Sequence, residues 1–293
     1  RPLAPSSGSG WFLRAPAPLM GNCVCAENCR GKDANQVAGS RNGTVQEVIG
    51  MPLSFSDAQN RPTHTFENGA TYTGAWKGSM RHGEGVQVWP DGARYEGQWV
   101  NDTAQGNGRF VHSDGDVYEG EVLNDKAHGH GVYYHTDGSR CEGLWEQDQQ
   151  CGKGVEVWAD GSRFEGFYVE GSKHGLGRFA WANGSQYEGE FAQNSLTGQG
   201  IYTWNDGRRY EGQWLDNQMH GRGRSTWPDG SVYEGEYARD MKHGQGLFKW
   251  GDGREYDGQW RDGKQHGTGK LSTTKGVKRT GQWEDGKHKV WLD

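Results

Sequence analysis

The chain has 293 residues, of which 50 are glycine, and its formal net charge is −6. Only 32% of the residues are hydrophobic, but 12% are aromatic, including 14 tryptophans and 12 tyrosines. Disordered chains lack such a supply of rings, so we expect a core of aromatic side chains. No apolar run is long enough for a transmembrane helix, and the five cysteines lack the spacing of a secreted disulfide scaffold.

The first 30 residues contain a candidate lipidation signal. Residues 1–19 are predicted as a disordered leader that lies upstream of the true start if translation begins at Met20. The segment 20–30 then begins "MGNCVC", which matches the N-myristoylation pattern except at its last position, where Cys25 replaces Ser or Thr. One acyl chain binds a membrane weakly and two bind it stably. The predicted lipidation sites are Gly21, Cys23 and Cys25. Residues 31–63 are polar and aperiodic, and we predict a flexible linker there.

From residue 64 to 285 the sequence repeats every 23 residues without insertion or deletion. Most units start with an aromatic residue, and all have glycine two positions later and, with one exception, a ring four positions later. Cys141 and Arg279 replace the leading ring, and Val122 replaces the second. A glycine pair and a "DG" follow, as in "YEGQWLDNQMHGRGRSTWPDG" from Tyr210. Structural roles are predicted for Tyr72, Gly74, Trp76, Tyr95, Gly97, Trp99, Tyr187, Gly189, Tyr210, Gly212, Trp214, Tyr233, Gly235, Tyr256, Gly258 and Trp260.

Each unit is interpreted as a β-hairpin. In "YEGQW" the rings and the glycine alternate with polar residues, as in a strand with one buried face. "GRSTW" is predicted as a second short strand, the intervening "LDNQMHGRG" as a turn, and the "DG" as the turn into the next unit. Stacked hairpins bury a continuous face, so we predict an all-β, single-layer antiparallel solenoid or ribbon with strands of about five residues.

The combination of YxGxW, HGxG and DGxxY at this spacing resembles the MORN repeat (membrane occupation and recognition nexus). The resemblance runs from Phe66 to Trp283 and covers nine to ten repeats. Arg279 and Thr280 replace the Tyr and Glu of the inner units, as expected of a terminal cap. Residues 286–293 are predicted as a C-terminal tail.

The residues at equivalent positions of successive repeats are called a column here. Two columns of polar residues suggest chemistry but do not define a site. Histidine precedes the glycine pair in six units, yet equivalent positions should lie ~9–10 Å apart, too far to share one metal ion. We interpret these histidines as structural turn residues. The glutamate after the leading ring recurs without a distinguished pair, which favours a solvated role. The sequence therefore predicts no enzyme activity, no catalytic residue, no metal site and no cofactor.

Charge is distributed unevenly along the repeats. Residues 66–200 carry 10 Lys/Arg and 20 Asp/Glu, whereas residues 201–293 carry 16 and 14. An acidic array repels phosphate, so we expect no nucleic-acid partner. Anionic phospholipid could be attracted only near the C-terminal end. The predicted lipid patch comprises Lys264, Lys270, Lys275, Lys278, Arg279, Lys287 and Lys289.

The resemblance and the N-terminal signal together predict a non-enzymatic scaffold. Acyl chains would hold it at the cytoplasmic face of a membrane, and the ribbon would bind protein partners there. The open ends of the ribbon could pair in a homodimer. Two alternatives remain open. One is a regulatory module of a signalling enzyme, as in phosphatidylinositol-phosphate kinases that resemble this array. The other is a structural component of cilia or flagella.

Overall fold

The structure is a computed structural model that describes Leu53 and residues 55–293. These residues form 21 β-strands and no helix, and hence no helix that could span a membrane. The strands are β1 (Gln59–Thr65), β2 (Thr71–Lys77), β3 (Met80–Val88), β4 (Arg94–Val100), β5 (Thr103–Val111), β6 (Val117–Leu123), β7 (Lys126–Tyr134), β8 (Arg140–Glu146), β9 (Gln149–Val157), β10 (Arg163–Val169), β11 (Ser172–Ala180), β12 (Gln186–Ala192), β13 (Ser195–Thr203), β14 (Arg209–Leu215), β15 (Gln218–Thr226), β16 (Val232–Ala238), β17 (Met241–Lys249), β18 (Glu255–Arg261), β19 (Lys264–Ser272), β20 (Lys278–Glu284) and β21 (Lys287–Trp291).

The strands form one open antiparallel sheet, in which each strand pairs with its neighbours in sequence. The predicted single-layer ribbon of hairpins is therefore confirmed. The sheet extends beyond the predicted array at both ends. β1 includes residues assigned to the linker, and β21 includes residues assigned to the C-terminal tail.

The prediction of five-residue strands and a long turn is wrong. In the unit that starts at Tyr210, strands of seven and nine residues are joined by Asp216 and Asn217 alone. Their φ angles of 48° and 65° suit a two-residue hairpin turn, and Asp and Asn tolerate this left-handed region. A β-bulge between Gly212 and Gln213 shifts the register and interrupts the alternation of β15. Because the alternation of β15 is broken at the bulge, the sequence pattern predicted a turn where the strand begins.

The predicted "DG" turn is present. The Trp227 amide donates to the Ser231 carbonyl at 3.0 Å, and the Gly230 amide donates to the Trp227 carbonyl at 3.0 Å. Gly230 has φ of 83°, a conformation that glycine adopts without steric cost. The Asp229 carboxylate accepts a hydrogen bond from the Ser231 amide at 2.9 Å, which fixes the turn.

Successive hairpins are also joined by turn side chains. Asp240 Oδ1 accepts from the Met219 amide at 2.8 Å, and the Asp240 amide donates to the Met219 carbonyl at 3.1 Å. Asn217 forms the same reciprocal pair with Leu196 in the preceding hairpin. These bonds fix how each hairpin sits on the one before it, and so position the residues of each column relative to the next.

The core lies on one face of the sheet and consists mainly of rings. Tyr210 is 0% exposed, and its ring meets those of Trp214 and Tyr237 edge-on at centroid distances of 5.2 and 5.1 Å. Its hydroxyl donates to the Gln213 carbonyl at 2.8 Å. Burial raises the pKa of Tyr210 and of the equivalent tyrosines, to about 12 for Tyr72 and Tyr256. These hydroxyls are buried hydrogen-bond donors that hold the backbone of the same strand.

A continuous row of glycines crosses the sheet beneath these rings. Gly212 pairs with Gly200 on one side and Gly223 on the other, and the row runs from Gly74 to Gly281. A Cβ on Gly212 would lie 2.5 Å from Gly223 Cα and 2.7 Å from Tyr210 Oη. The glycines therefore provide the space that the tyrosine rings occupy, as the alternation predicted.

Candidate partner-binding surface

The sheet face opposite the rings, called here the outer face, contains an open groove of about 960 Å³ across its middle units. Most of its lining is backbone and polar side chains, but Phe167 and Leu176 point into it and are 44% and 65% exposed. Val155 and Ile201 also line the groove and are partly buried. An exposed apolar cluster with a polar surround is typical of an interaction site.

Phe167 stands at a position that is polar in most other units. The equivalent residues include Gln98, Glu121, Glu190 and Gln213. There the side chain folds back on its own hairpin, as where Glu190 Oε1 accepts from the Gln199 amide at 2.7 Å. Sequence reasoning missed Phe167 because it followed the conserved columns of the repeat. Comparing this position across the units would have found Phe167 together with Leu144, the other large apolar residue there.

The folded-back side chains cover a glycine, and in the Phe167 unit that glycine is uncovered. A Cβ added at Gly198 would meet the side chain of Glu190, and one at Gly221 would meet that of Gln213. At Gly175, the equivalent glycine beside Phe167, a Cβ would meet nothing within 4 Å. The outer face thus has an uncovered position next to two exposed apolar side chains, Phe167 and Leu176.

At the first two units the N-terminal segment of the chain lies beside these positions, next to the side chains of Gln98 and Ala75 that also cover them. Leu53 Cδ1 lies 2.9 Å from the Cβ position of Gly106, and Phe55 and Ala58 lie close to that of Gly83. The ring of Phe55 meets His82 edge-on at 5.6 Å. No sequence pattern predicted this contact, since the segment was assigned to the linker. It shows that the outer face can accept apolar side chains from a segment outside the hairpins.

The seven residues of the predicted lipid patch do not form one patch. Lys264 starts β19 and Lys275 lies in the turn after it, so they lie on opposite edges of the ribbon, roughly 30 Å apart. Lys287 and Lys289 lie on the Lys264 side, where Lys289 pairs with Glu284 at 2.8 Å. On the other side, Arg279 pairs with Asp293 at 3.6 Å. Lys270, Lys275 and Lys278 are exposed and form no ion pair with the described residues.

The histidines before the glycine pairs lie in strands, so their prediction as turn residues is wrong. His220, for example, pairs with Gln213 at the β-bulge, and its carbonyl accepts from the Tyr210 hydroxyl at 3.4 Å. Within Leu53 and residues 55–293, no group of three or more His, Cys, Asp or Glu residues could hold a metal ion. The predicted lipidation sites Gly21, Cys23 and Cys25 lie outside the described residues.

The two ends of the ribbon differ as edges for self-association. β1 contains Pro62, which has no amide hydrogen, and its pairing with β2 is irregular between Arg61 and His64. Both features hinder the addition of another strand. β21 is a short strand with Lys287 and Lys289. Short edge strands and lysines also hinder strand addition, so both ends of the ribbon carry features that oppose the homodimer that the sequence suggested.

The aromatic core is interrupted by a polar cluster in the middle of the ribbon. The buried rings form two groups, one ending at Trp145 and the other starting at Phe164. Near the break, Lys173 Nζ lies 2.6 Å from Glu156 Oε2, and the Tyr168 hydroxyl donates to the same oxygen at 3.1 Å. Burial, and then the charge of Glu156, raise the pKa of Tyr168. This buried ion pair was not predicted from the sequence.

The architecture and the repeated columns define a β-hairpin repeat protein. The family model of the MORN repeat matches nine consecutive segments, and the chain belongs to the MORN repeat family. The matched residues are 72–94, 95–117, 118–140, 141–163, 164–186, 187–208, 210–232, 233–253 and 256–278.

Other comparisons give only distant similarity. No curated protein matches the chain. The SAS-4 TCP domain of Drosophila melanogaster, solved with a proline-rich motif of Ana2, is 14% identical, covers 65% of this chain and 97% of its own, and has a TM-score of 0.34. The wild-type TCP10 domain of Danio rerio CPAP is 12% identical, with coverages of 74% and 96% and a TM-score of 0.26. At these scores the similarities carry no argument about function.

Proposed function

We propose that this protein is a non-enzymatic scaffold whose outer face binds an extended apolar segment of a protein partner. The observation that carries the proposal is the uncovered Gly175 beside the exposed Phe167 and Leu176. At the equivalent Gly106, Leu53 already lies on the same face. A partner segment with apolar residues two positions apart, like Leu53 and Phe55, would place one side chain over Gly175 and contact both exposed residues.

Selection of binders from a library of random short peptides would test this proposal. Peptides that bind the full chain are expected to carry two apolar residues two positions apart. The double variant Phe167→Glu/Leu176→Gln installs the residues of the next unit, Glu190 and Gln199, and should weaken binding of these peptides about tenfold or more. Calorimetry or fluorescence polarisation would measure the affinities.

Leu215→Gln is the matched control for these variants. Leu215 is 48% exposed but does not line the groove, so its loss should leave the affinity unchanged. Selected peptides that bind the double variant as tightly as the wild type would contradict the proposed surface. So would a loss of affinity in Leu215→Gln equal to that in the double variant.

The scaffold is further proposed to be held at the cytoplasmic face of a membrane by acylation of Gly21, Cys23 and Cys25. Support comes from the sequence "MGNCVC" alone. In cells expressing the protein from Met20, a myristate analogue should label the wild type and not Gly21→Ala. A palmitate analogue should label the wild type and lose its signal in Cys23→Ser/Cys25→Ser. Equal labelling of wild type and variants would contradict the anchor.

Anionic phospholipid is a secondary candidate, favoured by Lys270, Lys275 and Lys278 near one edge of the ribbon, which form no ion pair within the part of the chain that the structure describes. Basic residues near an anionic surface contribute roughly 1 kcal/mol each. Changing all three to glutamine should abolish sedimentation with phosphatidylserine vesicles, while changing Lys264 and Lys287 should not.

Two other roles would use the groove beside Phe167 and Leu176: a regulatory module of a signalling enzyme, and a structural component of cilia or flagella. The identity of the partner that binds the groove would distinguish these roles.

A further inference from the structure

Lys242 lies in a cage of aromatic rings on the core face of the sheet. Its Nζ is 4.1 Å from the ring centroid of Phe248 and 5.0 Å from those of Trp227 and Trp260. The side chain is partly buried, and it forms no ion pair with the described residues. The rings attract the cation, but they provide neither a hydrogen-bond acceptor for the ammonium nor a counter-charge.

In two other repeats the residue equivalent to Lys242 is also Lys or Arg, and in both it forms an ion pair with a carboxylate. Arg81 lies over Trp99 at 4.1 Å and pairs with Asp102 at 3.1 Å. Lys173 lies 5.1 Å from the ring centroid of Phe164 and pairs with Glu156 at 2.6 Å. Among the described residues, Lys242 is therefore the cation of this column that lacks such a partner.

The comparison with Lys173 can be made residue by residue, because the two lysines are three repeats apart. The equivalent of Glu156 beside Lys242 is Ser225, and the equivalent of Tyr168 is Tyr237. Tyr168 donates its hydroxyl to Glu156, whereas the hydroxyls of Tyr237 and Ser225 bond to each other at 2.6 Å. One substitution, serine for glutamate, thus removes the counter-charge from an otherwise matched site.

Lys242 also lines a cavity of about 260 Å³, whose walls include Trp204, Met219 and Trp227. The charged residues that line the same cavity are Arg208, Arg209 and Asp240. Burial raises the pKa of Asp240, whose Oδ1 is engaged by the Met219 amide at 2.8 Å. The cavity wall therefore carries two cations and one carboxylate, and that carboxylate is already engaged by a backbone amide. The cavity is large enough for a short acyl group beside the amine.

Burial lowers the pKa of the Lys242 amine from 10.5 to about 8. At pH 7 about one tenth of such amines are neutral, against about one in three thousand at the ordinary value. Only the neutral amine has a lone pair to donate, so the site raises the nucleophile concentration about 300-fold. The rings and the cavity walls determine which electrophiles can reach the Lys242 amine.

We propose that Lys242 is a site of covalent acylation by small acyl thioesters. The lone pair of the neutral amine attacks the thioester carbonyl carbon. A carbon–nitrogen bond forms, the carbon–sulfur bond breaks, and the thiolate leaves with the bonding electrons and takes up the proton released by the nitrogen. The amide product carries no charge, so acylation removes a cation from the ring cage while its aliphatic stem still packs there.

The full chain should be treated with the acetyl thioester of N-acetylcysteamine at about pH 7.5, and acetylation of each lysine followed by peptide mass spectrometry. Lys242 is expected to react about tenfold or more faster than Lys173 and the exposed Lys275. Ser225→Glu recreates the environment of Lys173 and should slow Lys242 about tenfold. Glu156→Ser should accelerate Lys173 by a similar factor.

The rate for Lys242 in the wild type should also level off above about pH 8, as the amine becomes fully neutral. This measurement needs no variant and so does not depend on the folding of Ser225→Glu. A Lys242 rate equal to or below that of Lys275, or one that still rises steeply through pH 10, would overturn the proposal. An unchanged Lys242 rate in folded Ser225→Glu would overturn it as well.

Discussion

Gly212→Ala is expected to lower the free energy of unfolding by about 3 kcal/mol, at the upper end for an overpacked core. The backbone of Gly212 has no positive φ, so alanine introduces no conformational strain there. The cost is steric, because the new Cβ would lie 2.5 Å from Gly223 Cα and 2.6 Å from the Arg222 carbonyl oxygen. Both are backbone atoms in a paired strand, and neither can move without separating β14 from β15.

Urea denaturation would measure this loss, and hydrogen exchange would locate it. Stability in a repeat array depends on neighbouring units, so protection should fall most in β14, β15 and β16. A local clash would be contradicted if amide exchange in these three strands were the same as in the wild type while the protection lost was in other strands.

Gly138→Ala is the matched control for the steric argument. Gly138 has φ of 90°, and a Cβ there would meet nothing within 4 Å. Alanine at this turn therefore carries only backbone strain, about 1–2 kcal/mol for a left-handed residue. If Gly138→Ala cost as much as Gly212→Ala, the clash beneath the rings would be no larger an effect than backbone strain at an open turn, which would contradict the steric argument.

The glycine row illustrates what the sequence could and could not predict. The alternation of Tyr210, Gly212 and Trp214 indicated that ring and glycine share one face, and the constant period indicated that units stack in register. Which glycines face each other across the strands depends on the β-bulge at Gly212 and on the two-residue turn at Asp216 and Asn217. Both are consequences of backbone geometry that hydrophobic alternation does not record.

The candidate binding surface was harder to predict, because it depends on departures from the repeat. Phe167 becomes distinctive only when Gly175 is seen to be uncovered and Leu53 is seen on the equivalent Gly106. Lys242 becomes distinctive only when its cage is compared with that of Lys173. The repeat pattern fixes a common framework, and function in such an array depends on the units that deviate from it.

Glu156→Ser is expected to lower the free energy of unfolding by about 3 kcal/mol. The Lys173 side chain is only 9% exposed, and removing its partner leaves a buried charge without a hydrogen bond to a carboxylate. The ring contacts of Lys173 with Phe164 and Trp158 persist and keep the loss at the lower end of the usual range. Urea denaturation of the full chain would measure the change.

Arg109→Ala, which breaks an exposed pair with Glu119 at 2.7 Å, is the control and should cost less than about 1 kcal/mol. Comparable losses in Glu156→Ser and Arg109→Ala would contradict a special role for the buried pair.

The triple variant Glu156→Phe/Tyr168→Phe/Lys173→Leu tests whether this pair contributes stability or only interrupts the core. It installs the residues of the next unit, Phe179, Phe191 and Leu196, which are all buried and belong to the continuous ring cluster. Tyr168 is included because its hydroxyl donates to Glu156 and would lose that acceptor.

Replacing a buried ion pair with packed apolar residues is often neutral or stabilising, so the triple variant should be at least as stable as the wild type. Protection from hydrogen exchange should then extend across β9 and β10, where the two ring clusters are now separated. A triple variant less stable than Glu156→Ser would mean that Glu156 and Lys173 hold the two halves of the ribbon together in a way that rings cannot replace.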